Sequence, residues 1–311
     1  MLEKSGTGQL GALPAQSRHG SSAVGAMLGC LLDEFKDRLV SAAAWGSAGL
    51  IVLVFAALIV NLLSQGYAAV SWSFVLDAPR NAGRSGGIFP ILVSTLLIMG
   101  VAMLAVIPFG LGTAILLSEI NRGKSRFAQI VSVSLDVLAS VPSIVFGLFG
   151  NAFFSVYLGL GFSILSGGLT LACMILPIFI RTVESGLSSI SDDWRRGAVA
   201  LGMSKQAALW HLLLPAAAPA IAVGLILGIG RALAESAALI YTSGYVDRMP
   251  GSLLDSGRSL AVHIYDLSMN VAGGEHNAYA SILVLLLLLV ATNGLAMLFT
   301  ELFLHRRILR S

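Results

Sequence analysis

Trp194-Arg195-Arg196-Gly197-Ala198-Val199-Ala200-Leu201-Gly202-Met203-Ser204-Lys205, followed ten residues after Lys205 by Pro215, is a polar, helix-forming insert between two segments apolar enough to span a membrane. Ser191, Asp192 and Asp193 precede it, cap-type residues whose carboxylates sit favourably at a helix N-terminus. The pattern predicts one helix through Leu201, a left-handed turn at Gly202 and a second helix capped by Ser204 and running through Trp210. Small residues at Gly197, Ala198 and Ala200 permit close approach of a partner surface, which makes the insert a place where another protein can push on the spans. The same residues also fit an ordinary loop at the headgroups, with Arg195 and Arg196 on anionic lipid.

The rest of the chain is the apolar setting of this insert. Of 311 residues, 56% are hydrophobic and 11% charged, whereas soluble domains carry roughly a quarter of charged residues. The chain therefore reads as a membrane protein. A net charge of +3 does not point to nucleic acid, because the basic residues fall in short clusters between apolar runs. Cys30 and Cys173 lie in different segments without metal-ligand spacing and read as packing residues.

Windows of about 20 apolar residues, the length that crosses about 30 Å of hydrocarbon, give six expected spans. They are Leu39 to Leu63, Ile88 to Ser118, Ile130 to Phe149, Phe162 to Thr182, Leu212 to Thr242 and Ala278 to Leu304. A cytoplasmic N-terminus puts fourteen of the 19 Lys and Arg residues inside or at the inner interface. Arg80, Arg84, Arg248 and Arg258 then lie outside and Arg231 stays in the membrane, as the positive-inside tendency favours. Both termini and the Trp194 insert are thus expected in the cytoplasm. Residues 1–38 read as a flexible cytoplasmic tail, 39–63 as the first span, 86–304 as the core with its loop at 191–211, and 305–311 as a C-terminal tail. Met27-Leu28-Gly29-Cys30 faintly matches a lipoprotein cleavage site, but processing there would export Asp33-Glu34-Phe35-Lys36 against the charge count.

Ionisable residues inside spans are the candidate functional groups, since each costs at least about 2.5 to 3.5 kcal/mol at bilayer depth. Arg231 and Glu235 are four apart and are expected to share a helix face and pair across one turn. Either they fix packing against a companion, or Arg231 faces a path and offers a fork of donors to an oxyanion. Arg181 and Glu184 form a similar couple at the inner end of the fourth span, where Arg181 either lines the path or snorkels to the headgroups. Asp136, as a carboxylate that would repel an anion, reads as paired or protonated and structural. Ser140 and Ser143 flank Pro142 and offer hydroxyls to a passing oxyanion or to their own helix's carbonyls. Pro108, Pro142, Pro177, Pro215 and Pro219 favour bends or breaks, while Gly224 and Gly228 have the small-xxx-small spacing of close helix contact.

These residues also carry a resemblance. Arg196 to Lys205 with Leu214-Pro215 and Pro219 resembles the EAA loop of binding-protein-dependent ABC importers, a coupling helix that docks in a cleft of the ATPase subunit. Gly197 stands where that family's name-giving Glu is expected. Gly86-Gly87-Ile88-Phe89-Pro90, Ile107-Pro108-Phe109-Gly110-Leu111-Gly112 with Ser118-Glu119, and Ala139-Ser140-Val141-Pro142-Ser143 through Gly150 resemble phosphate permease subunits. Leu176-Pro177 with Ile180-Arg181-Thr182-Val183-Glu184, and Gly230-Arg231-Ala232-Leu233-Ala234-Glu235-Ser236-Ala237, are similar to the PstA type, with Ala234 and Ser236 in place of the usual Gly and Thr.

The resemblance implies an all-α polytopic subunit with six transmembrane helices and the type I importer (MetI-like) permease fold, in the bacterial cytoplasmic membrane. It implies passage of phosphate along Arg181, Glu184, Arg231, Glu235, Ser140 and Ser143. Arg195, Arg196, Gly197, Ala198, Ala200, Leu201, Gly202, Ser204 and Lys205 would couple to an ABC ATPase dimer. A second permease of PstC type, an extracytoplasmic phosphate-binding protein and membrane lipid are the other implied partners, and no nucleic acid is. No Walker loop is present, so ATP and Mg belong to the ATPase partner and this chain binds no cofactor. The outside loop from Ser243 to Asn277, with a short amphipathic helix around Ser259 to Leu267, either meets the binding protein or caps the bundle; His263 and His276 lack metal-ligand company. Permeases for molybdate or sulfate, an intramembrane enzyme using Asp136 and His263, and a stand-alone channel are the alternative readings.

Overall fold

The computed structural model describes residues 20–120 and 125–308. The described residues form helices and one hairpin of two two-residue strands. Helix α1 (Gly20–Gly66) is a single uninterrupted rod whose Leu50, Val52 and Phe55 stand exposed, as a lipid-facing span requires. The expected tail 1–38 is therefore helical from Gly20, a correction: no proline interrupts the stretch from Gly20, and its Ala, Leu and Met residues are good helix formers. Residues 1–19 lie outside the described part.

The second unit runs from Leu62. It contains α2 (Trp72–Leu76), strands β1 (Pro79–Arg80) and β2 (Ser85–Gly86), α3 (Phe89–Ile115) with a π-helical turn Leu116–Ile120, α4 (Arg126–Ser140), and α5 (Ser143–Gly150) with a π-helical extension to Tyr157. Then come α6 (Ile164–Ser188), α7 (Asp192–Ala200), α8 (Lys205–Ala208), a π turn Leu209–Leu213, α9 (Leu214–Ala216), α10 (Ala218–Ala234), α11 (Ala237–Ile240), α12 (Leu260–Met269) and α13 (Glu275–Ile308). The expected C-terminal tail is thus helical through Ile308, with 309–311 outside the described part.

Among the described residues four helices are long and apolar enough to cross a membrane unbroken, and the number is six when each of two bent pairs is counted as one span. The third expected span breaks between Ser140 and Ser143, where α4 and α5 meet at 104°. Pro142 has no N–H to donate and drives Val141 into extended backbone (φ −71, ψ 130), because α conformation before proline brings a clash. The fifth bends by 63° at Ala217, between Pro215 and Pro219. It also ends earlier than expected, at Ala234, because Glu235 is extended.

Helix α6 is the central element. Phe179 on it is fully buried between two glycines: a Cβ at Gly110 of α3 would lie 2.5 Å from its ring, and one at Gly224 of α10 would lie 3.0 Å away. A Cβ at Gly228 would meet Ile175 at 2.8 Å, so the small-xxx-small pair is the seat of α10 on α6. Three helices approach closely around one aromatic ring, and the largest core cluster, with Ile98, Ile175, Phe179 and Leu187, forms there.

Candidate functional site

The polar insert folds as its sequence predicts. Ser191 Oγ accepts from the Asp193 N–H at 3.2 Å and opens α7, whose first turn carries Asp192 and Asp193. Gly202, at φ +71, ends it: the Met203 N–H donates to Ala198 O and the Gly202 N–H to Val199 O, both at 3.0 Å, the paired bonds of a Schellman turn. Ser204 Oγ then accepts from the Ala207 N–H and opens α8. Helix α7 ends at Ala200, one residue short of expectation.

The insert has two faces. Trp194, Arg196, Gly197, Val199, Ala200, Leu201, Ser204 and Lys205 are exposed, with Leu201 at 81%. Val199 and Leu201 put an exposed apolar patch on an otherwise polar loop. Arg195 and Ala198, one turn apart, face inward instead. Arg195 donates through Nε to Glu119 Oε2 at 3.0 Å and through Nη2 to Glu119 Oε1, and also reaches Leu187 O at 2.9 Å and Ile190 O at 2.7 Å. The Glu119 carboxylate raises the Arg195 pKa, outweighing the burial that lowers it. Arg195 therefore straps α7 to the ends of α3 and α6, where the sequence reading had placed it on the docking face. Behind the strap lies a cleft of about 620 Å³ lined by Ile115, Glu119, Met203, Lys205, Leu209 and Leu213. Glu119 was visible as part of a motif, but nothing in the sequence joins it to a residue 76 positions away.

The intramembrane arginines divide differently from expectation. Arg231 does not pair with Glu235, because α10 stops between them and the extended backbone turns Glu235 away. Glu235, 7% exposed, accepts from the Ala238 N–H at 3.1 Å and caps α11. Arg231 stays exposed, and its side-chain hydrogen bond among the described residues is Nη2 to the Met174 Sδ at 3.7 Å. Arg181, by contrast, is surrounded by acceptors. Nε and Nη2 both donate to Asp136 Oδ1, at 3.0 and 2.6 Å; Nη1 donates to Glu184 Oε2 at 3.0 Å, and Nη2 to Ser132 Oγ at 2.8 Å. Arg181 thus meets α4 rather than reaching toward headgroups, and Asp136 is paired.

Met174 and Arg181 are seven residues apart on α6, two helical turns, and so share a face about 10 Å apart along the axis. The Met174 contact brings Arg231 to the same stripe that carries Arg181. A charged side chain does not face hydrocarbon without cost, so the exposed Arg231 and the 65% exposed Asp136 mark a side of the chain turned to water or protein. The two hydroxyls flanking Pro142 separate: Ser140 Oγ donates to Val137 O at 2.7 Å, while Ser143 is half-buried at the start of α5.

At the opposite end, α12 is packed inward. Arg258, 8% exposed, donates to Tyr245 O at 2.8 Å, to His263 Nδ1 at 3.3 Å and to Asp266 Oδ2 at 3.1 Å. Thr95 Oγ1 of α3 accepts from the Leu260 N–H at 2.8 Å. Within this chain the connection caps the bundle, and Tyr265 and Met269 remain exposed on it.

Comparison with known proteins gives this arrangement a family. Residues 106–309 match the family described as binding-protein-dependent transport system inner membrane component. A probable ABC transporter permease protein, YqgI of Bacillus subtilis, is 30% identical over 72% of this chain and 82% of its own length. The phosphate transport system permease protein PstA of Mycobacterium leprae is 29% identical over 75% of this chain and 78% of its own. A PstA homolog of Mycoplasma pneumoniae is 39% identical over 56% of this chain, which spans 28% of that longer protein. The MetNI methionine ABC transporter in an inward-facing conformation matches in structure with a TM-score of 0.52 at 17% identity, covering 70% of this chain and 94% of that one, and so shares the fold. The chain belongs to the inner membrane components of binding-protein-dependent transport systems, as a membrane-spanning permease subunit of an ABC importer.

Proposed function

We propose that this chain is the PstA-type permease subunit of an ATP-driven importer that brings inorganic phosphate into the cytoplasm. The observation that carries the reading is a pair of guanidinium groups along one stripe of α6: Arg231 of α10, without an acidic partner among the described residues, rests on Met174, and Arg181 stands on α6 two turns from Met174. Two cationic forks in succession give an oxyanion two stops, and neither needs to bind tightly for passage. The names of the relatives supply phosphate as the oxyanion.

The remaining parts follow from this reading. Both termini and the Trp194 insert face the cytoplasm. The outward patch around Val199 and Leu201 docks on a dimer of ABC ATPase subunits, which use ATP and Mg, while a PstC-type permease completes the path. An extracytoplasmic phosphate-binding protein delivers substrate at the α12 side. Closure of the ATPase pair moves α7, and the Arg195 strap carries that movement to α3 and α6.

The test is uptake of labelled phosphate by the assembled complex. Arg231→Ala and Arg181→Ala are each expected to abolish uptake while the subunits still co-purify. Normal uptake by either assembled variant removes that residue from the path, and a wild-type complex that takes up labelled molybdate or sulfate but not labelled phosphate moves the assignment to another oxyanion.

A further inference from the structure

We propose that Asp136 is a stand-in for the substrate: its carboxylate occupies the edge of Arg181 that the passing oxyanion takes, and is exchanged for it during transport. The proposal rests on Arg181 lying in the path.

Arg181 meets two carboxylates, one more negative charge than its guanidinium needs. One of them can leave without stranding the cation. Glu184 sits three residues along the same helix and is only 22% exposed, which makes it the permanent partner. Asp136 comes from α4, its side chain is 65% exposed, and it sits five residues before the Val141–Pro142 break, where that span is already jointed. It is the carboxylate that has both water to enter and a movable element to carry it.

The geometry of the bond favours exchange. Nε and Nη2 form the edge of the guanidinium that a carboxylate or phosphate normally engages with two oxygens, one to each nitrogen. Asp136 presents a single oxygen, Oδ1, to both. A tetrahedral oxyanion offers two oxygens at the right spacing and completes the fork that Asp136 leaves incomplete. Replacing one anion by another also keeps Arg181 paired on that edge throughout. Asp136 lies ten residues into α4, about 15 Å along its axis from Arg126.

The experiment measures retention of labelled inorganic phosphate by the purified permease–ATPase complex without its binding protein. Wild type is expected to retain little. Asp136→Asn, which removes the competing charge and preserves the shape, is expected to raise retention at least about tenfold and to slow release in uptake assays. Adding Arg181→Ala to Asp136→Asn abolishes the retention, and Asp136→Glu returns it toward the wild-type level. If Arg181→Ala stops uptake but Asp136→Asn retains no extra phosphate, Asp136 is no competitor and the proposal is wrong. An Asp136→Asn complex that fails to assemble shows a packing role and equally overturns it. Normal uptake by Arg181→Ala instead removes the path reading on which the proposal stands.

Discussion

Arg195 and Glu119 show how a single ion pair can tie the polar insert to the end of α3. Their side chains are 14% and 13% exposed, and the guanidinium also holds the carbonyls of Leu187 in the last turn of α6 and of Ile190 just beyond it. Removing one partner leaves the other half-desolvated, a loss of about 3 kcal/mol in a buried pair. Arg195→Ala is expected to leave the outward patch of α7 in place for the ATPase but to disconnect it from α3. ATP hydrolysis by the assembled complex should persist while phosphate uptake per ATP falls severalfold. Arg195→Lys, which keeps the charge but not the fork, should fall between the two. Parallel loss of hydrolysis and uptake would instead mean that Arg195 belongs to the ATPase contact itself. At this scale the sequence is a partial guide. It exposes which residues are costly in a membrane, Arg181, Arg231 and Asp136, but not their partners. The expected Arg231–Glu235 pair assumed a continuous helix, and one extended residue at 235 cancels it.

Among elements, the α7–α8 corner was the most legible, since every device in it is local: two serine caps and a glycine with positive φ, each acting within a few residues. The breaks in the third and fifth spans were legible as prolines but not as angles, because tertiary packing sets how far a broken helix turns. The corner lends itself to two opposite substitutions. Gly202→Ala forces a side chain into φ +71 and costs about 1 kcal/mol, so local opening, read as tryptic cleavage at Lys205, is expected to rise about fivefold. Gly197→Glu places a side chain where nothing lies within 4 Å and replaces a poor helix former, so cleavage is expected to slow and uptake to persist. Faster cleavage after Gly197→Glu would mean that the glycine is required by the corner rather than tolerated in it.

For the molecule as a whole, the connection from Ser243 to Asn277 closes one end of the bundle and ties the stability of the core to pH. His263 on α12 is 1% exposed, and its Nδ1 accepts from Arg258, which fixes the neutral ring with its proton on Nε2. Burial and the neighbouring guanidinium push its pKa from the usual 6.5 down to about 4, against a smaller opposing pull from Asp266. The unfolded chain therefore takes up the proton first as pH falls, so the contribution of His263 is complete above pH 6.5, lost progressively between 6.5 and 4, and flat below. Its size is on the order of 3 kcal/mol. The measure is a difference between two proteins, in which every other titrating group cancels. Melting of wild type and His263→Gln, which still accepts from Arg258 but does not titrate, should be followed from pH 7.5 to 4.5. Wild type is expected to lose more stability than the variant, with the gap opening mainly below pH 6.5. Parallel curves would mean that the imidazole is reached by solvent and protonates without opening the cap, and the α12 connection would then be a lid on the bundle rather than part of its core.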